Sequence, residues 1–133
     1  MQAAEDYRKH GGRDLDYYNN VSFLLLKRGE VKESIDIFET CKKELLARSA
    51  DKKEMRDFYE KLADRYEELH ENQKAVEMFH HALALLEEKD YWDRFDYECY
   101  LTKNYCLLGD MEKAKCHAQR AMECIARRNT TPE

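Results

Sequence analysis

The chain contains almost nothing that breaks a helix. Its 133 residues hold one proline, Pro132, and four glycines, Gly11, Gly12, Gly29 and Gly109. Proline ends or kinks helices and glycine weakens them, so a chain this poor in both can run in long helices with few interruptions. It also lacks a long apolar run. The longest, Val21 to Leu26, already contains Ser22 and falls far short of the ~20 residues that cross a bilayer. The N-terminal MQAAEDYRKH has no apolar stretch that would serve as a secretory signal. Without one, the acceptor-like Asn129-Thr130-Thr131 says little. There is no excess of basic residues: 23 Lys and Arg stand against 28 Asp and Glu, a net charge of −5. A nucleic-acid module needs a basic face for phosphates, and this balance argues against one. The five cysteines are odd in number and not tightly spaced, which fits a reducing, cytoplasmic setting better than a disulfide framework. A Gly-rich phosphate loop, a His-Glu-x-x-His pair and a nucleophile-elbow serine are all missing. No catalytic activity and no cofactor are therefore expected.

What the chain does have is charge and periodicity. Charged residues make up 38%, and apolar residues recur at helical rather than alternating spacing, so the expected fold class is all-α. The length suits one domain. Within it the same punctuation is written three times. Five, nine and twelve residues after Gly29 stand Ser34, Phe38 and Cys41, and four, seven, eight and eleven before it stand Leu25, Ser22, Val21 and Tyr18. The same offsets from His70 reach Ala75, Phe79 and Ala82, then Tyr66, Ala63, Leu62 and Tyr59. From Gly109 they reach Ala114, Ala118 and Ala121, then Tyr105, Thr102, Leu101 and Glu98.

Each copy reads as a helical hairpin. Residues at spacings of three and four put one stripe on each helix, and small residues where the stripes meet let the axes approach to ~8 Å. A glycine after the first helix supplies the left-handed turn that reverses the chain. Helices are predicted over 14–28, 31–48, 52–69, 73–88, 92–108 and 111–128. The corresponding organisation is a partial N-terminal helix within 1–12, hairpins at 13–49, 50–89 and 90–128, and a disordered tail at 129–133.

This pattern resembles the tetratricopeptide repeat, with an aromatic, a Leu, a small residue and a Tyr in the first helix and Ala, an aromatic and Ala in the second. Tyr59 to Ala82 is the fullest match, and the resemblance spans roughly residues 15 to 126. The third copy departs from it, with Glu98 for the first aromatic and Ala118 for Phe, and no copy ends in Pro. The anchors lie 41 and 39 residues apart, against the usual ~34. That longer form is similar to repeats of kinesin light chains, spindle-orientation adaptors and bacterial peptide-pheromone sensors. The resemblance implies a right-handed superhelical array whose first helices line a concave groove.

On those helices, outside the packing stripe, the groove candidates of the first copy are Asn19, Asn20, Phe23 and Leu26. The second copy contributes Asp57, Glu60, Lys61, Asp64, Glu67 and Glu68, and the third Cys99, Tyr100, Lys103 and Cys106. The middle set carries five acids and one base, so a neutral or basic segment is the expected ligand and a carboxylate would be repelled. Cys99, Cys106, Cys116, His117 and Cys124 lack the close ligand pairs of a structural zinc site, and no metal is expected. His80-His81 reads as part of a solvated outer surface. Tyr91, Trp92, Phe95, Tyr97 and Tyr100 read chiefly as core residues at the start of the third hairpin. Along the last helix, Ala114, Ala118, Ala121, Met122 and Ile125 form an apolar stripe, and Met122 and Ile125 match Leu83 and Leu86 in register. That end is expected to be covered by a second copy, a partner helix or a further repeat. The leading functional expectation is a protein- or peptide-binding adaptor. A peptide-sensing regulatory domain or a structural oligomerisation unit are the alternatives.

Overall fold

The computed structural model describes residues 14–130, and the expected partial helix within 1–12 lies outside them, as do 131–133. Among the described residues there are six helices and no strand: α1 Asp14–Lys27, α2 Val31–Ala47, α3 Lys52–Glu68, α4 Asn72–Ala84, α5 Tyr91–Leu107 and α6 Met111–Thr130. Consecutive helices pair as α1–α2, α3–α4 and α5–α6, and the three hairpins stack in chain order through α2–α3 and α4–α5. The result is an all-α solenoid, as the repeat predicts.

The hairpin turns share one backbone device. Gly29, His70 and Gly109 have φ of 81°, 59° and 79°, all in the left-handed region. Each donates its N–H to the carbonyl three residues back: Leu26, Glu67 and Cys106. The following residue donates to the carbonyl five residues back: Glu30 to Leu25, Glu71 to Tyr66 and Asp110 to Tyr105, each at 2.9 Å. This pair of bonds satisfies the carbonyls that a helix end leaves without partners. His70 thus does a glycine's work in the middle copy. Ser49, with φ of 55°, ends α2 in the same way.

Acidic residues open most of the following helices, where the helix dipole favours negative charge. Asp51 and Glu54 form a capping box on α3, the Glu54 N–H donating to Asp51 Oδ1 at 2.9 Å. Asp110 accepts from the Lys113 N–H at 3.1 Å at the start of α6. Only α4 departs clearly from expectation, ending at Ala84 rather than near 88. Leu85 and Leu86 turn tightly onto Ala82 and Leu83, and Asp90 captures the Glu87 N–H with its carboxylate at 2.9 Å. Two glutamates, Glu87 and Glu88, also oppose the negative end of the dipole there. At the other end of the chain α6 runs to Thr130, two residues further than predicted.

The core is built from the repeat positions. Ser34, Cys41, Ala63, Ala75, Ala82, Ala114 and Ala121 are all buried where the two helices of a hairpin meet. Larger side chains fill the seams between hairpins. Phe38 of α2 meets Phe58 of α3 edge-on at 6.0 Å, and in the same register Phe79 of α4 meets Tyr97 of α5 at 6.3 Å. Beside each aromatic pair lies a buried polar anchor. Arg65 Nε donates to Ser22 Oγ at 3.0 Å and its Nη2 to Asn19 Oδ1 at 2.8 Å, while Nη1 pairs with Glu68 at 2.6 Å. Ser22 Oγ in turn donates to the Ser34 carbonyl. At the second seam Asn104 Nδ2 donates to Glu67 Oε2 at 2.7 Å and its Oδ1 accepts from Asn72 at 2.9 Å. Arg65 and Asn104 both stand five residues before their anchors and both reach back to the preceding hairpin.

Candidate peptide-binding face

The first helices α1, α3 and α5 sit side by side, joined by the polar anchors just described. On α3 the residues Asp57, Glu60, Asp64 and Glu67 follow one another at spacings of three, four and three, which is one helical stripe. All four are half-buried. Across from them α5 brings Asp96, Tyr97, Tyr100 and Lys103.

The charges interact strongly. Burial, with the Glu60 and Glu67 carboxylates close by, pushes the Asp64 carboxyl up to about 6. Burial raises Tyr100 as well, and Asp96, Glu60, Asp64 and Glu67 act on it in the same direction. Tyr97 is raised by burial and by Glu60, to which it hydrogen-bonds. Asp96 is raised by burial and by Asp93. The stripe is thus a place where adding positive charge is favourable and adding negative charge is not.

The structure treats the individual candidates unequally. Asp57, Glu60 and Asp64 stand along the stripe with Lys61 half-buried beside it. Glu67 is committed: Lys103 Nζ lies 2.9 Å from its Oε2 and Asn104 holds the same oxygen, so much of its charge is answered within the fold. Asn19 is likewise engaged, by the Arg65 guanidinium. Asn20 is exposed and Leu26 half-buried. Phe23 is exposed, with Lys27 Nζ at 5.1 Å and the Arg65 guanidinium at 5.7 Å from its ring centre. Tyr100 is half-buried against Phe79 at 5.2 Å, Cys99 is half-buried, and Glu68 and Cys106 are exposed. At the far end of the array Met122 and Ile125 are exposed.

Other expectations change more. His80 does not belong to a solvated outer surface. It is half-buried, shares a hydrogen bond with Tyr105 Oη at 3.1 Å and packs edge-on to His117 at 5.4 Å. His117 is buried, stacks flat on Tyr105 and donates from Nδ1 to Glu98 Oε1 at 2.7 Å. Burial and the neighbouring His117 hold His80 below its ordinary range. In register, Glu98 and His117 take the places of Tyr18 and Ile37 or Tyr59 and Met78, so a hydrogen-bonded polar couple replaces an apolar one inside the third hairpin. The missing aromatic at 98 was the visible half of that exchange. Its other half required knowing that the eighth residue after the anchor faces the eleventh before it. His81 is exposed and stacks on Tyr59 at 4.8 Å. In the aromatic cluster Tyr97 is core, whereas Trp92 is exposed and rests edge-on against Phe95. None of the five cysteines, all among the described residues, is in a disulfide, and Cys41 and Cys124 are buried. Arg56 was not singled out from sequence, yet it is buried with Asp90 and Asp93 at 3.7 and 3.6 Å and ties α3 to the start of α5.

A cleft of about 480 Å³ opens between α4, α5 and α6, where Arg94, Arg120 and Arg127 alternate with Glu88, Glu98 and Glu123. Three arginines and three glutamates line it, and one of those glutamates, Glu98, is held by His117.

These features define an all-α solenoid of helical hairpins, and comparison with solved structures agrees. The crystal structure of BtubC (BKLC) from P. vanneervenii superposes with a TM-score of 0.76 over 99% of this chain, at 18% sequence identity. At that identity the likeness is one of fold. The chain spans 56% of the length of that neighbour. No protein-family model matches the sequence, and no curated protein matches it. None of the helices among the described residues is long and apolar enough to cross a membrane.

Proposed function

We propose that the chain is a non-catalytic protein- or peptide-binding module whose ligand lies against α1, α3 and α5 and presents neutral or basic residues. The observation that carries this reading is the acidic stripe Asp57, Glu60 and Asp64 on the central first helix, beside the aromatic surface of Tyr100. Stacked hairpins hold these side chains in a fixed pattern, so little ordering entropy is lost when a ligand arrives. Carboxylates give selectivity by charge, while aromatic faces accept both apolar side chains and cationic heads. The solenoid fold supports the reading by supplying a continuous surface of helix faces rather than a closed pocket.

Titration with basic, neutral and acidic peptides of equal length at two salt concentrations tests it. Basic peptides are expected to bind tightest and to weaken as salt screens charges over ~8–10 Å. Glu60→Lys is expected to weaken them by about tenfold. A preference for acidic peptides, undiminished by Glu60→Lys and Glu67→Lys, would overturn the proposal.

A further inference from the structure

The two seams between hairpins close differently at the edge where the turns lie. At the second seam Asn72 donates to Asn104 at 2.9 Å, and His80 shares a hydrogen bond with Tyr105 Oη at 3.1 Å. Val76 and Tyr105 are buried there. Counted from the anchors, the first seam has Val31 in the place of Asn72, Arg65 in that of Asn104 and Glu39 in that of His80. Arg65 turns instead to Asn19 and Ser22 of α1, and Val31 is left 45% exposed. Ile35 and Tyr66, in the places of Val76 and Tyr105, are only half-buried. A cleft of about 310 Å³ results, with Val31, Ile35, Tyr66 and Leu69 as its apolar walls. Pockets for small ligands begin at roughly this size, ~300 Å³, so it admits a side chain or two and not a folded surface.

The rim of this cleft carries an excess of negative charge. Its two lysines are answered by neighbours in sequence, Lys32 by Asp36 at 2.6 Å and Lys74 by Glu71 at 3.5 Å. Glu39 and Glu77 are exposed and have no ion-pair partner among the described residues. Both act on the cleft: burial raises the Tyr66 hydroxyl, Lys74 opposes the rise, and Glu71, Glu39 and Glu77 add to it. We propose that the cleft takes one bulky apolar side chain from an extended segment of a partner protein, and that a lysine or arginine next to it answers Glu39 and Glu77. The apolar side chain would leave water together with walls that are themselves partly exposed. A cation beside it is attracted by the two carboxylates, and an acid in its place is repelled. The site is separate from the acidic stripe, because Asp57, Glu60 and Asp64 do not line it.

Methyl-detected NMR of the full chain, with isoleucine, leucine and valine methyls labelled, tests this with three peptides: Ac-Gly-Leu-Arg-Gly-amide, Ac-Gly-Gly-Arg-Gly-amide and Ac-Gly-Leu-Glu-Gly-amide. The first is expected to shift the Val31, Ile35 and Leu69 signals with a millimolar Kd, and the other two to need concentrations about tenfold higher. Because the signals read are those of the cleft walls, a peptide held on the acidic stripe does not count as binding here. Val31→Gln is expected to weaken the Leu-Arg peptide by about fivefold with unchanged helical circular dichroism. Leu69→Gln reports on the opposite wall should that variant fail to fold. Glu39→Gln combined with Glu77→Gln is expected to remove the advantage of Arg over Glu while keeping that of Leu over Gly. The proposal is overturned if no peptide moves these signals up to about 10 mM. Equal affinity for the Leu and Gly peptides, a Leu-Glu peptide that binds as well as Leu-Arg, or variants that all bind as the parent does would overturn it equally.

Discussion

His70 shows how a single residue can carry a repeat's geometry without its usual chemistry. Its φ of 59° places a non-glycine side chain in the left-handed region, where a Cβ costs roughly 1 kcal/mol. Histidine is among the residues enriched there, and the two carbonyls that the turn satisfies offset the strain. His70→Gly is therefore expected to raise stability by about 0.5–1 kcal/mol, and Gly109→Ala to lower it by a similar amount. The Gly109 cost is purely one of backbone conformation, because a Cβ added there meets nothing within 4 Å. Urea melts of both variants decide the matter. Equal and negligible effects would mean that the turn does not need its left-handed residue. That position was legible in the sequence because two glycines and a histidine shared an offset. The roles of Asn19 and Glu67 were not, because the residues that engage them, Arg65 and Asn104, come from another hairpin.

At the scale of elements, α3 and α4 owe their close approach to Ala63, Ala75 and Ala82, all buried in one cluster with Phe79, Leu101 and Tyr97. There is no room for a larger side chain at these points without moving a helix. Ala75→Leu and Ala82→Leu are each expected to cost ~1–3 kcal/mol. Glu77→Leu, at an exposed position on the same helix, is expected to be nearly silent. Thermal melts in which all three behave alike would contradict the hairpin register. The helix pattern itself was readable because apolar spacing and caps are local properties. The early end of α4 was not, since it depends on an Asp90 carboxylate turning back to the Glu87 N–H and on Arg56 reaching Asp90 from another hairpin.

Over the whole molecule, the central acidic stripe is expected to make stability, and with it the peptide binding proposed above, depend on pH. The folded protein holds the Asp64 proton up to about 6, whereas the unfolded chain releases it near the ordinary ~3.9. Between those values the folded state binds more protons, so raising the pH through this window removes stability, and the loss is complete above about pH 6. Asp64→Asn is expected to stabilise the protein at pH 7 by about 1 kcal/mol, after allowing for solvent screening of a half-exposed group. It should also flatten the slope between pH 4 and 6. Basic peptides should bind the parent more weakly as pH falls through 6, a step that the Asn variant should lack. Denaturant midpoints and peptide titrations at pH 4.5, 5.5 and 7 check both. A slope unchanged by Asp64→Asn would show that other groups set it.

The sequence by itself determined what local physics determines: six helices, three hairpins, the turn residues between them, and which small residues face each other. These follow from periodicity, backbone propensity and a repeated register, all written along one stretch of chain. Only the tertiary structure decided which charged residues are answered within the fold. Five acids on and around α3 looked alike in sequence. Stacking the hairpins gave Glu67 to Lys103 and Asn104, while Glu68 pairs with Arg65 three residues away on the same helix, and Asp57, Glu60 and Asp64 make up the rest of the stripe. It also turned Glu98 and His117 into a buried pair. Partners on different helices, 19 residues apart for Glu98 and His117 and 37 for Glu67 and Asn104, neutralise or desolvate a charge only once the fold brings them within a few ångströms, and no spacing along a single helix reports that.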